Sequence, residues 1–297
     1  MESFNFAGID IGSNAIRLLI KNAVPGESYN DAVLNKLVYL RLPMRLGGDV
    51  FVNGKITEQK AQEFYSGLKI YKSLLDYYKI KDSHFRACAT SATRSATNGK
   101  QVIEKIEKEL GIKIDIIDGL EESQLLFKTN IYNLPDGDTF LSADLGGGSF
   151  QITIFKDKKI VWTYSFDIGT VRILNDSVDA SEYIAFEDKM KEISAKYNDL
   201  ILIGSGGNIN KISKVVGNKT IEKENLVLLY EEMKNLSLDE RIKKYSFRKD
   251  RADVIVSAEY LYINLMTILN INKIYVPKIG LADGIIRQLY EQNVEHK

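Results

Sequence analysis

The sequence predicts an α/β protein built from two copies of one domain. The chain has 297 residues, more than one hydrophobic core usually serves, so two domains are expected. Strand-like and helix-like patterns alternate in both halves, as they do in α/β folds. Two apolar segments, ending at Asp10 and Asp144, each run into a glycine-containing turn and a second apolar segment. This repeat predicts a duplicated domain with a cleft between the copies.

The first half of the chain begins with a predicted strand hairpin. Residues 4–11 and 15–22 flank the turn at 12–14, and a third strand covers 33–42. Thr57 is the expected N-cap of a helix whose apolar residues recur every three or four positions. The other predicted elements are a strand over 84–90, a helix over 99–110, a strand over 113–117 and a helix over 120–132.

The second half repeats this order. One predicted strand ends at Asp144, and four others cover 149–156, 159–167, 200–203 and 273–276. The predicted helices cover 181–198, 208–216, 222–235 and 253–269. Ser237 begins a capping box, and residues 134–138 form the clearest turn near the middle. We place an N-terminal domain at 1–122 and a C-terminal domain at 123–283. A final helix, about 284–297, is expected to pack back on the first domain.

The composition excludes several classes of function. Lys plus Arg and Asp plus Glu both number 40, so the chain lacks the basic character of a general DNA-binding protein. With only His84 and His296, neither a histidine-rich metal centre nor a Ser-His-Asp triad is expected. The single cysteine, Cys88, predicts a buried thiol in a reducing cytoplasm. We expect neither a signal peptide nor a membrane span.

The glycine turn after Asp144 predicts a phosphate site. Residues 146–148 are glycines, whose bare N–H groups can surround an anion without interference from Cβ atoms. Asp144 precedes them, where a carboxylate can hold a phosphate-bound Mg²⁺. Residues 12–14, after Asp10, form a weaker copy. Glycines and aspartates also make ordinary tight turns, but the pair of hairpins favours phosphate loops, with Asp10 and Asp144 facing each other across the cleft.

Two further segments carry weaker signals. Thr90 and Ser91 end a predicted strand in front of a small-residue turn that carries Arg94. This arrangement suits an anion, but it equally suits a closely packed helix start. Glu121 and Glu122 are adjacent acids at a predicted helix start, where the helix dipole commonly favours acids.

Taken in order along the chain, these motifs resemble the exopolyphosphatase / guanosine pentaphosphate phosphatase (Ppx/GppA) family. The matching segments are residues 8–14, 45–47, 89–94, 119–122, 144–149, 204–207, 251–255 and 281–284. They span nearly the whole chain. The resemblance implies an α/β fold of two actin-like (RNase H-like, ASKHA) domains facing a central cleft.

The resemblance also implies a hydrolase that releases terminal phosphate from inorganic polyphosphate, from pppGpp or from both. It implies Mg²⁺, no organic cofactor and no phosphoenzyme. Water activated by Glu122 would attack the terminal phosphorus, and Arg94 would bind the transferred group. The implied partners are inorganic polyphosphate or guanosine penta- and tetraphosphate, without nucleic acid or membrane. Since dimerisation is common for this fold, a homodimer is one expected assembly.

The residues that the motifs and the resemblance together assign to the site fall into three groups. The catalytic group is Glu122, Asp144 and Gln151. The phosphate-binding group is Gly12, Ser13, Asn14, Arg45, Thr90, Ser91, Arg94, Gly146, Gly147, Gly148, Ser149, Gly206 and Gly207. The metal-binding group is Asp10 and Asp144.

The chain departs from the family pattern in two ways. Gln151 stands where the family has a glutamate, which keeps a carbonyl ligand but removes a charge and predicts weaker metal binding or turnover. The chain also ends at Lys297, where long members carry a further helical domain, so a short two-domain form is implied. Two alternatives therefore stay open: a weakly active or non-catalytic protein that binds polyphosphate or (p)ppGpp, and an actin-like kinase or ATPase.

Overall fold

A computed structural model describes residues 3–26, 32–130 and 139–294, with the side chain of residue 130 excluded. The chain divides into two compact units, Met1–Asn133 with Gly280–Lys297, and Leu134–Ile279. Each unit contains one mixed β-sheet with helices. No helix in the described part of the chain combines the length and apolar character that crossing a membrane requires. The turn predicted at 134–138 lies outside the described residues.

The sheet of the first unit has five strands in the order β3-β2-β1-β4-β5. These strands are β1 (Phe4–Ile11), β2 (Ile16–Val24), β3 (Val33–Leu42), β4 (Phe85–Ala89) and β5 (Ile114–Ile116). The first three strands pair antiparallel, whereas β4 and β5 run parallel to β1. Because β1 lies in the centre, its residues from Phe6 to Ile11 are buried on both faces.

Helices cover both faces of this sheet. They are α1 (Leu46–Asn53), α2 (Glu58–Tyr77), α3 (Ser91–Ser95), α4 (Gly99–Leu110), α5 (Gly119–Asn130) and the last helix, α13 (Leu281–Asn293). One cluster joins Ile9 and Leu18 of the sheet to Phe64 of α2. A second joins Phe6 to Leu125 of α5 and to α13. Successive side chains of β1 thus pack into two different cores, because they point to opposite faces of the sheet.

The sheet of the second unit repeats the first. Its strands are β6 (Thr139–Leu145), β7 (Phe150–Lys156), β8 (Lys159–Phe166), β9 (Leu200–Ser205), β10 (Thr220–Glu222) and β11 (Lys273–Tyr275). Their order is β10-β11-β9-β6-β7-β8. In this order β6, β7, β8, β9 and β11 occupy the positions that β1, β2, β3, β4 and β5 have in the sheet of the first unit. The short β10 is added at one edge, antiparallel to β11. The predicted duplication is therefore present in the strand order.

The helices of the second unit surround one large core. They are α6 (Thr170–Leu174), α7 (Ala180–Lys196), α8 (Gly207–Val216), α9 (Lys223–Lys234), α10 (Leu238–Tyr245), α11 (Lys249–Ala252) and α12 (Ile255–Ile268). The apolar α12 supplies Ile255, Tyr262 and Leu265 to this core. The predicted caps agree with the structure, since Thr57 caps α2 and Ser237 forms a capping box with Glu240.

The structure differs from the sequence predictions in its short elements and in where the chain divides. The sequence analysis did not predict α1, α6, α11 or β10. The division falls after Asn133 instead of after residue 122, so α5 lies wholly in the first unit. The reason is packing: α5 contacts α13, and a Cβ on Gly284 would lie 2.0 Å from the Leu125 carbonyl oxygen.

Candidate functional site

The two glycine loops have the same backbone turn. In the first unit the Gly12 N–H donates to the Ala15 carbonyl at 3.1 Å, and in the second the Gly146 N–H donates to the Ser149 carbonyl at 2.9 Å. Each turn joins two antiparallel strands, β1 to β2 and β6 to β7. The two predicted phosphate loops are thus structural equivalents, each in its own unit.

In the first unit, Asp10 is neutralised by a neighbouring arginine. Asp10 pairs in register with Arg17 on β2, and Arg17 Nη1 lies 2.5 Å from Asp10 Oδ2. Both side chains are largely buried. One carboxylate oxygen of Asp10 is therefore already committed, and a cation at this residue would meet a positive neighbour.

The phosphate-binding residues predicted in the first unit lie around its loop. The hydroxyl oxygens of Ser13 and Ser91 are 2.8 Å apart. Arg45 lies in the left-handed region with φ 52°, its N–H donates to the Asn14 carbonyl at 3.1 Å, and its Nε lies 3.4 Å from Asn14 Oδ1. Thr90 donates its N–H to the Ile11 carbonyl at 3.1 Å. The structure therefore brings residues 12–14, 45, 90 and 91 together.

Arg94 and the two adjacent acids lie in neighbouring segments of the same unit. Arg94 is exposed, and its Nη1 donates to the Ile117 carbonyl at 2.6 Å, just before α5 begins. Glu121 and Glu122 lie in the first turn of α5, and Glu121 Oε1 accepts from Arg86 Nη2 at 2.5 Å. Glu121 thus forms an ion pair with Arg86.

In the second unit, Asp144 lies in a row of oxygen-bearing residues. It pairs in register with Gln151 on β7 and with Ser205 on β9, and register neighbours point to the same face of a sheet. The Gln151 amide donates to Thr163 Oγ1 at 2.6 Å. Its Oε1 and the Ser205 Oγ are both buried without a hydrogen-bond partner among the described residues. Such orphaned oxygens require an explanation.

Gly206 brings the start of α8 close to Asp144. Its φ is +95°, which favours glycine, and a Cβ there would lie 2.7 Å from Asp144 Oδ1. Gly206 is the N-cap residue of α8 and Gly207 its first residue. Both glycines predicted for phosphate binding therefore lie at a helix N-terminus, which favours negative charge.

The carbonyl groups of the second loop are held by residues that the sequence analysis did not single out. All the donors lie in α6. The Thr170 N–H and hydroxyl donate to the Gly146 carbonyl at 3.1 and 3.3 Å. The N–H groups of Val171 and Arg172 donate to the Gly147 carbonyl at 2.8 and 3.2 Å, and Arg172 Nε donates to the Gly148 carbonyl at 2.8 Å. The Gly-Thr-Val-Arg segment begins two residues after the end of a predicted strand, which is the signal that could have identified it.

Two buried side chains near the aspartates, Cys88 and Tyr262, keep their protons. Burial raises the pKa of the Cys88 thiol to about 12, so Cys88, the register neighbour of Asp10, stays protonated. Tyr262 donates to the carbonyls of Ala143 at 3.2 Å and Ser205 at 3.0 Å, and burial, with the Asp144 charge, raises its pKa. Neither side chain is a candidate nucleophile.

Comparison with known proteins identifies the family of this chain. The sequence model of the Ppx/GppA phosphatase family matches residues 28–293. The chain belongs to the Ppx/GppA phosphatase family. The resemblance noted in the sequence is therefore confirmed. A bifunctional 3-dehydroquinate synthase/phosphatase from Fusobacterium nucleatum is 36% identical over 176 residues, which are 58% of this chain and 26% of that protein. The chain thus spans about a quarter of the length of this curated relative.

Solved structures show the same fold. A Ppx/GppA family member from Aquifex aeolicus superimposes with a TM-score of 0.78 at 24% identity, covering 99% of this chain and 100% of that one. An exopolyphosphatase from Cytophaga hutchinsonii gives a TM-score of 0.83 at 24% identity, covering 97% and 98%. The prediction of two actin-like α/β domains is therefore confirmed.

Proposed function

We propose that this protein is a Mg²⁺-dependent phosphoanhydride hydrolase that releases terminal phosphate from inorganic polyphosphate, from pppGpp or from both. The observation that carries the proposal is the glycine loop at 146–149, in which the carbonyls of residues 146–148 all accept hydrogen bonds from α6. The N–H groups of Gly147, Gly148 and Ser149 are thereby directed away from α6, where they can bind an anion with several oxygens. Membership of a phosphatase family supports hydrolysis over simple phosphate binding.

In the proposed reaction, Glu122 orients and deprotonates a water molecule that attacks the terminal phosphorus. The bridging P–O bond breaks, inorganic phosphate is released, and the shortened chain leaves with the electron pair on its new terminal oxygen. Arg94 binds the transferred phosphoryl group. Its guanidinium has five N–H donors, and the bond to Ile117 uses only one of its nitrogens. Each glycine loop offers N–H groups to phosphate oxygens. Phosphoryl transfer needs mainly alignment and charge neutralisation, which these groups supply without a covalent intermediate.

The second unit provides oxygen atoms that suit Mg²⁺. Asp144 offers a carboxylate, while Gln151 Oε1 and Ser205 Oγ are orphaned oxygens on the same face of the sheet. Magnesium prefers such oxygen ligands and, when bound, neutralises charge on phosphate oxygens. We therefore propose Asp144, with Gln151 and Ser205, as the main ligand group. Asp10, predicted as the second ligand, has Arg17 beside it and is the weaker candidate.

Glu122→Gln tests the proposed base. Because the amide cannot accept the proton, we expect phosphate release from polyphosphate to fall about 100-fold or more. Glu121→Gln is the matched control, since it changes the adjacent carboxylate, which is bonded to Arg86, and should keep most of the turnover. Phosphate release and the melting temperature are measured for both variants. Wild-type turnover in Glu122→Gln would remove Glu122 from this role.

A second candidate function is binding of polyphosphate or (p)ppGpp without turnover. It is favoured by Gln151, whose neutral amide replaces the glutamate of the family pattern beside Asp144. A panel of polyphosphates of several lengths, pppGpp and ATP, each with and without Mg²⁺, separates the two functions. Binding without phosphate release, with release restored by Gln151→Glu, would establish the second.

A further inference from the structure

The peptide groups of the second phosphate loop, residues 146–149, share one orientation. A trans peptide group points its C=O and its N–H to opposite sides. The carbonyls of residues 146–148 all accept hydrogen bonds from α6. The N–H groups of Gly147, Gly148 and Ser149 must therefore point away from α6. No acceptor in the described ranges takes any of these three N–H groups. Adjacent N–H groups that share a direction form an anion-binding concavity.

The segment in front of α6 leaves no space for the loop to relax. A Cβ on Gly169 would lie 2.2 Å from the Gly147 carbonyl oxygen and 2.4 Å from the Gly148 carbonyl carbon. The φ of Gly169 is −120°, so its backbone is accessible to any residue, and only the contact with the loop requires glycine. We call Gly169, Thr170 and Arg172 the loop clamp.

The loop clamp is itself fixed by other side chains. The Arg172 side chain is 12% exposed, and its Nη2 lies 3.2 Å from Asp167 Oδ1. The Thr170 hydroxyl oxygen accepts from Asn208 Nδ2 at 3.4 Å, and Asn208 Oδ1 in turn accepts from Arg251. A chain of hydrogen bonds thus runs from α11 through α8 to the first carbonyl of the loop. A network of this kind restricts the loop to one conformation.

We propose that Arg172 and Thr170 are positioning residues that hold the loop at 146–149 in its anion-binding conformation. Their side chains bond the carbonyl side of the loop, so they act on phosphate through the opposite, N–H side. The proposal rests on the proposed function for its kinetic test and adds to it the residues that preorganise the phosphate site. Loss of the clamp should weaken phosphate binding more than it weakens the fold.

Binding of tripolyphosphate in a Glu122→Gln background is the direct test, because turnover does not then consume the ligand. We expect Arg172→Gln in this background to raise the dissociation constant roughly tenfold, the effect of one charge-assisted hydrogen bond. Arg241→Gln is the matched control. Arg241 also bonds two carbonyls, Leu236 O at 3.1 Å and Ala252 O at 2.7 Å, at another place in the same unit. It should lower the melting temperature without changing the dissociation constant.

Thr170 provides the conservative comparison. Thr170→Ser keeps the hydroxyl and should bind tripolyphosphate within about twofold of the parent, whereas Thr170→Val should bind several-fold more weakly. With Glu122 intact, the same clamp variants should raise KM for polyphosphate more than they lower kcat. An unchanged dissociation constant in Arg172→Gln, with a loss of melting temperature equal to that of Arg241→Gln, would overturn the proposal. Absence of turnover in the wild-type protein would instead overturn the proposed function, and the binding comparison would still decide the clamp.

Discussion

The two glycine loops share a backbone turn but differ in the residue that faces their aspartate. Asp10 faces Arg17 and forms an ion pair with it, whereas Asp144 faces Gln151. The carbonyls of the first loop are bonded by backbone N–H groups of Arg45 and Gly47, whereas those of the second are also bonded by side chains of α6. The difference indicates that the duplicated units kept the glycine turn while the charge beside the aspartate diverged.

This divergence suggests a division of roles. A carboxylate beside an arginine stabilises the first unit, whereas a carboxylate beside neutral oxygens can accept a divalent cation. Of the four experiments below, the first and third test that contrast, and the second and fourth compare buried groups of the two units.

Replacing Asp144 by asparagine should lower turnover, whereas replacing Asp10 by asparagine should lower stability. Asp144→Asn removes the charge proposed to hold Mg²⁺, so we expect turnover to fall about 100-fold. Asp10→Asn breaks the ion pair with Arg17, so we expect a stability loss of about 2 kcal/mol. Phosphate release and denaturant unfolding are measured on both variants. Equal losses of turnover with unchanged stability would show that the two aspartates have the same role.

Burial in the second unit also predicts a dependence of stability on pH. Glu259 on α12 is fully buried, and neither carboxyl oxygen has a hydrogen-bond partner among the described residues. Burial, the main cause, and Glu232 raise its pKa to about 8, against the opposing effect of Arg241. Because the folded state holds the proton more tightly, its stabilising effect is complete below the unfolded pKa near 4.5 and is lost as pH rises toward 8.

Glu259→Gln should remove this pH dependence. Across the window from pH 5 to 8 the wild-type protein should lose up to about 1.4 kcal/mol per pH unit relative to the variant. Thermal unfolding at each half pH unit measures the difference. Parallel stability profiles for the two proteins would mean that Glu259 keeps an ordinary pKa. Glu121→Gln, in the first unit, provides a comparison in which the carboxylate has an arginine partner.

Gln151→Glu tests the metal preference of the second loop. A carboxylate next to Asp144 adds a ligand charge, so we expect Mg²⁺ affinity to rise roughly tenfold. Without Mg²⁺ the variant should be less stable than the wild type, because two adjacent carboxylates repel each other. The increase in melting temperature with added Mg²⁺, compared with NaCl at equal ionic strength, is the readout. An identical Mg²⁺ response in both proteins would argue against the proposed ligand group.

Two buried tyrosines provide the finest comparison between the units. The hydroxyl of Tyr71 donates to Ile16 O at 2.9 Å and Leu40 O at 3.0 Å, as Tyr262 does to the carbonyls of Ala143 and Ser205. Phenylalanine at either position should cost about 1 kcal/mol of stability. Only Tyr262→Phe should also raise KM, because its partners adjoin Asp144. Equal KM values in the two variants would show that the Tyr262 contacts do not affect the phosphate loop.

The sequence predicted the repeated elements well because their signals are local. Alternating apolar residues identified the hairpins around 12–14 and 146–148, and caps at Thr57 and Ser237 marked helix starts. The short helices α1 and α6 were missed. The first has two glycines in eight residues and the second has only five residues, and such helices depend on tertiary contacts instead of propensity.

Local patterns along the chain were enough to predict the α/β class and the duplication, and the ordered motifs resembled the family that the comparison then confirmed. Only the tertiary structure decided that Asp10 meets Arg17 and that Arg172 bonds the back of the second loop, since strand register and packing bring distant residues together. It also decided that Gln151 leaves a buried oxygen beside Asp144. A glycine motif specifies where backbone N–H groups can be bare. The residues packed around it determine where those groups point.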